Sequence, residues 1–78
     1  MDNPEVAGWV KITAENANIR AGASTEYDVI SGASGGTVLE MTGNQEVAPN
    51  GSIWYELYLD TEKTKTGWAS EKVLEIQE

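Results

Sequence analysis

Apolar and polar residues alternate in short runs along most of the chain, and clusters of Gly, Ser, Thr and Asn separate the runs. A period of two places alternate side chains on opposite faces of an extended strand, so the pattern predicts β-structure. In "WVKITA" at 9–14, Val10 and Ile12 share one face and Lys11 and Thr13 the other; "ANIR" at 17–20 repeats the pattern through Ala17 and Ile19. "DVISG" at 28–32 is a short apolar step, and "TVLEMTG" at 37–43 is a clearer strand that follows Gly35 and Gly36. The strongest strand is "IWYELYLD" at 53–60, with Ile53, Tyr55, Leu57 and Leu59 on one face and Trp54, Glu56 and Tyr58 on the other. "GWAS" at 67–70 adds another, where Ala69 takes the inward position, and "EKVLEIQE" at 71–78 reads as a turn and a short strand. A helix there would be shorter than about ten residues and marginal.

The intervening segments read as turns. Gly22, Ser24 and Thr25 break any helical stripe in "NANIRAGASTEYDVISG", which fits a strand ending in a specific loop. "NQEVAPNGS" at 44–52 reads as a polar loop turning at Pro49, Asn50 and Gly51, and "TEKTKT" at 61–66 as a charged hairpin tip. Short strands, regular turns and no convincing helix predict a small all-β barrel or sandwich. Closure into a barrel hides strand edges that would otherwise aggregate.

With 78 residues the chain holds one domain, and a domain of this size buries only about 60% of the surface its unfolded chain exposes. Residues 8–78 are assigned to that domain, and 1–7 to a linker at the edge of a longer parent. The chain has no Cys and no His, which removes disulfides, thiolate or imidazole metal sites, and the Ser-His-Asp and Cys-His catalytic templates. Carboxylates alone can hydrolyse glycosides, but so small a domain rarely holds two of them around a sugar in a deep cleft. The expectation is a non-enzyme with no cofactor. Asp60 and Glu62 lack calcium-loop spacing, so no metal is expected.

Thirteen acidic residues against five basic ones give a net charge of −8, which repels phosphate backbones and anionic membranes. Nucleic acid is therefore not an expected partner. No apolar run approaches the roughly 20 residues of a membrane helix, so no membrane insertion and no targeting signal are read in the chain itself.

"NIRAGASTEYDVI", followed in order by "GGTVLE", "WYEL", "GWAS" and "VL", resembles the bacterial SH3 domain (SH3b, SH3_3 type) over roughly residues 10–76. The resemblance implies an SH3-like β-barrel of about five to seven short strands. It also implies a binding module of bacterial envelope proteins, one that holds an attached enzyme on cell-wall peptidoglycan peptide. The expected setting is extracellular or at the cell envelope, with neighbouring domains as further partners and the isolated domain a monomer. Asn18, Ile19, Arg20 and Gly22 match the family's strand end and loop opening, while Tyr55, Leu57 and Gly67 are further structural positions. Gly22 is expected to supply backbone freedom, the Ser24 and Thr25 hydroxyls to hold the loop, and Arg20 to tie loop carbonyls. The family's usual Pro after the Gly is Ala23 here, and the stretches 43–52 and 61–65 are longer than is common in it.

Six residues are candidates for ligand binding. Trp54 and Tyr58 share a strand face that points outward or into a surface groove; the alternative is that loops fold over them as a minor core. Trp68 is either a groove wall or a structural plug. Tyr27, flanked by Glu26 and Asp28, forms a polar edge suited to an ammonium group, or else a solvated loop end. Asn44, Gln45, Glu46 and Asn50 are added donors and acceptors, and Trp9 is read as packing across a barrel end. A competing function is a protein–protein or intramolecular interaction domain that positions a neighbour through the same aromatics.

Overall fold

A computed structural model describes residues 8–77. The linker assigned to 1–7 and the domain end at Glu78 lie outside the described residues. Seven strands run β1 (Trp9–Ile12), β2 (Asn16–Arg20), β3 (Val29–Ser34), β4 (Val38–Val47), β5 (Ile53–Tyr58), β6 (Thr66–Ser70) and β7 (Leu74–Gln77), with a 3₁₀ turn at Glu71–Val73 before the last. All pairings are antiparallel, in the order β3-β2-β6-β5-β4-β1-β7.

Three strands separate β1 from β2 in that order, yet Val10 and Ile12 of β1 share one buried cluster with Ala17 and Ile19 of β2. The sheet must therefore curl around its own core, which is the small SH3-like β fold the sequence implies. Met41, Leu57, Ala69 and Leu74 complete the cluster, and Tyr55 and Leu59 pack against it from β5 and its end. The period-two pattern thus translates directly into burial: Val10, Ile12, Ile19, Leu57 and Ala69 are at most 1% exposed.

Two strands differ from the sequence reading. β4 continues through Gln45, Glu46 and Val47, residues that the polar composition had assigned to a loop. Its register with β5 shifts between Met41 and Gln45, and Gly43 there takes a φ of 106°. The irregularity resets the alternation, so the strand resumes as a polar, exposed ribbon whose apolar signal is lost. Only the turn from Ala48 to Ser52 remains, closed by Ala48 N–H donating to Ser52 O at 2.8 Å. β5 ends at Tyr58, because Asp60 gathers the following tip through Thr64 N–H at 2.9 Å, Lys65 N–H at 3.3 Å and the Thr64 hydroxyl. The Thr64 hydroxyl is the main cause that holds the Asp60 carboxyl below its ordinary value, against a smaller opposing effect of desolvation.

Candidate functional site

Directly opposed residues on paired strands share a face. Trp54 of β5 lies opposite Ser70 of β6, Glu56 opposite Trp68, and Trp68 in turn opposite Arg20 of β2. The outer face of the sheet at this point therefore gathers two indoles, a guanidinium, a hydroxyl and the Glu56 carboxylate.

Two loops close over that face. Ala23 from the β2–β3 loop and Ala48 from the β4–β5 turn pack with Trp54 into a second buried cluster, with Trp68 against it. The β2–β3 loop is held from within. Arg20 Nη1 donates to Thr25 O at 3.2 Å and to Tyr27 O at 3.0 Å, and Ser24 Oγ accepts from Glu26 N–H at 3.0 Å. Gly22 has its place for a reason other than backbone freedom: its φ is not positive, but a Cβ there would stand 2.6 Å from three carbons of the Tyr27 ring. Gly67 is likewise a matter of space, since its missing side chain makes room for Ile19 Cγ2 in the main core.

Where the loops and sheet meet, a groove of 280 Å³ opens. β2 lines it with Asn16, Asn18 and Arg20, and the loops add Thr25, Asn50 and Ser52. Trp54, Ser70, Lys72 and Val73 supply the remainder. A second depression adjoins it, sharing Thr25, Asn50 and Trp54 and adding Ser24, Glu26, Ala48 and Pro49. Trp54 is only 5% exposed, and its indole Nε1 is buried without a hydrogen-bond partner among the described residues.

The six predicted ligand residues do not form one site. Trp54 and Glu26 line these adjoining depressions, and Trp68 packs beneath them. Trp54 is thus no exposed partner of Tyr58: the loops cover it as a minor core, because Ala23 and Ala48 are small enough to close onto the ring. Tyr58 faces a different groove, lined also by Trp9, Val38, Leu39, Leu59 and Lys63. Lys63 Nζ sits 5.3 Å from the Tyr58 ring centre and 3.3 Å from Glu40 Oε1. Trp9 does not cap a barrel end; with Val10 and Ile12 facing inward, alternation turns Trp9 outward, 49% exposed. Tyr27 lies over Gly22 and is 53% exposed, and Asp28 is exposed beside it.

Sequence reasoning missed Asn16, Ser70 and Lys72, and took Asn18 for a structural position. For the asparagines the signal was present, since they alternate with the inward Ala17 and Ile19 and so must face outward. Ser70 and Lys72 reach the groove only through the pairing of β6 with β5, which composition does not reveal. Asn44 joins Thr42 instead in holding Glu56, through hydrogen bonds of 2.8 and 2.9 Å. Partial burial works against the Glu56 charge, but the bonds from Asn44, Thr42 and Thr66 outweigh it and hold the carboxyl below its ordinary value.

The bacterial SH3 domain family matches residues 15–75, most of the chain, with β2 to β6 in full and the first half of β7. The chain belongs to that family, whose members are generally binding modules and typically non-catalytic. Comparison with curated proteins and with solved structures returned no match.

Proposed function

We propose that the domain is a non-catalytic module that recognises cell-wall peptidoglycan peptide in the groove over Trp54, and so holds a neighbouring domain of its parent at the bacterial envelope. The observation that supports this reading is the groove itself. It has an indole at its base, a belt of amide and hydroxyl side chains, and walls made by the family's β2–β3 loop and the β4–β5 turn. Such a lining suits an extended peptide, whose amides pair with the belt while its alkyl stems cover the aromatic floor. Glu26 in the adjoining depression is positioned for an amino group of the same peptide. A single shallow groove binds weakly, and tethering in a longer chain raises the effective concentration.

Retention on purified, teichoic-acid-free peptidoglycan tests the reading. Saturable retention of the domain, competed by soluble wall peptides, is the expected result; passage through the material unretained would overturn it. A second reading draws on the other groove, where half-exposed Trp9 and Val38 stand beside Tyr58. An apolar, aromatic surface of this kind suits a neighbouring protein domain, and a cross-linked contact at Trp9 within the parent would favour it.

A further inference from the structure

The polar lining of the Trp54 groove is unbalanced in a way the overall charge does not suggest. In a chain of net charge −8, the ten residues that line it include Arg20 and Lys72 and no carboxylate. Three acids are adjacent in sequence to lining residues: Glu15 is outside the lining, Glu26 belongs to the adjoining depression, and Glu71 accepts a hydrogen bond from Ile53 N–H at 2.9 Å; Glu46, opposite Trp54 on β4, is also outside the lining.

Internal hydrogen bonds occupy part of the acceptor capacity of Asn50 and Ser70 and leave their donors free. Asn50 Oδ1 accepts from Ser52 N–H at 3.0 Å, which leaves the Asn50 amide hydrogens. Ser70 Oγ accepts from Lys72 N–H at 3.1 Å, which leaves its own hydroxyl hydrogen. Arg20 spends Nη1 on the loop carbonyls and keeps Nε and Nη2, which have no partner among the described residues. Lys72 Nζ forms no ion pair among the described residues. The accessible donors of Arg20, Lys72, Asn50 and Ser70 outnumber the charged acceptors of the lining, so the groove favours a ligand that brings acceptors.

We infer that this groove receives a carboxylate of its peptide ligand, held between Arg20 and Lys72 with Asn50 and Ser70 as neutral donors. The inference rests on the wall-peptide reading and adds to it the group recognised. A guanidinium and an ammonium with surrounding amides complement a carboxylate, while the surplus of acids elsewhere on the surface repels anions that do not fit the groove.

The test is calorimetric titration of the domain with a wall tetrapeptide bearing free carboxyl groups, and with the same peptide fully amidated. Amidation is expected to weaken binding about tenfold, the loss of a charge-assisted hydrogen-bond set. Lys72→Gln should weaken binding of the acid about threefold and leave the amide unchanged, as a partly solvated ion pair would. Lys72 is exposed, so the variant keeps the fold. If acid and amide bind alike, the carboxylate inference falls while the wall-peptide reading stands. If neither peptide binds, both fall. If Lys72→Gln weakens both equally, the lysine does not read the carboxylate and the inference is overturned.

Discussion

The molecule has two buried clusters, built by different rules. The larger one takes Val10, Ile12, Ile19, Leu57 and Ala69 from the inward positions of four strands, and it exists because period-two alternation leaves them no other place. The smaller one sets Trp54 against Ala23 and Ala48, two small residues from separate loops. The first specifies the fold. The second turns an outward strand face into the base of a groove, and there the polar side chains keep unspent donors. Stability, and in the proposed function recognition, thus fall on opposite faces of the same central strand, β5.

Substitutions can pull the two apart, and the largest effect belongs to the main core. Leu57→Ala leaves a cavity at a fully buried site and is expected to cost about 3 kcal/mol in urea unfolding. In so small a domain this is a large share of the total stability.

Next comes Gly67→Ala, which drives a methyl group into Ile19 and is expected to cost about 2 kcal/mol through overpacking. Gly22→Ala meets only the half-exposed Tyr27 ring, which can swing away, so a loss under about 1 kcal/mol is expected. Equal losses at the two glycines would show that the loop is packed as firmly as the core.

Arg20→Ala removes both hydrogen bonds to the loop carbonyls. At this partly exposed position a cost of about 1 kcal/mol is expected. Amide exchange should rise at residues 25–28 and stay unchanged in β5; faster exchange throughout the sheet would contradict a local role.

The smallest effect is in pH dependence. Glu56 and Asp60 are both held below their ordinary values, so the unfolded chain binds protons more readily than the folded one. Their contribution is present in full above the unfolded values of 4.5 and 3.8, and it is lost as pH falls through the lower folded values. Glu56→Gln should therefore lower stability slightly at pH 7, where the charged form contributes in full, and flatten the loss of stability below pH 4.5. An unchanged acid limb would show that the Thr42 and Asn44 bonds do not survive in solution.

The two clusters were unequally legible in the sequence. Val10, Ile12, Ala17, Ile19, Leu57 and Ala69 announce themselves because burial on one face of a strand writes a period of two. The family's loop residues also stand in recognisable order, and Arg20 does tie loop carbonyls in the structure. The second cluster has no such period. Ala23 and Ala48 are 25 positions apart and meet only when two loops converge on Trp54, so nothing local marks them as its cover. For the same reason Tyr58, four residues from Trp54 on the same strand, was grouped with it although the two line different grooves. Lys72 reads locally as part of a charged tail, and only the β5–β6 register brings its neighbour Ser70 beside the indole. The polar half of β4 was missed because the irregularity at Gly43 breaks the alternation on which strand recognition depends.

The three indole N–H groups report separately on these surfaces: Trp9 on the outer groove beside Tyr58, Trp68 on the packing layer, and Trp54 on the donor-lined groove. The most direct test is to follow them by ¹H–¹⁵N NMR as a wall tetrapeptide with free carboxyl groups is added. Binding in the groove over the second cluster predicts a saturable shift of the Trp54 resonance, with Trp9 unmoved. A shift confined to Trp9, with Trp54 unchanged at saturation, would contradict it and transfer the recognition surface to the groove lined by Trp9 and Tyr58.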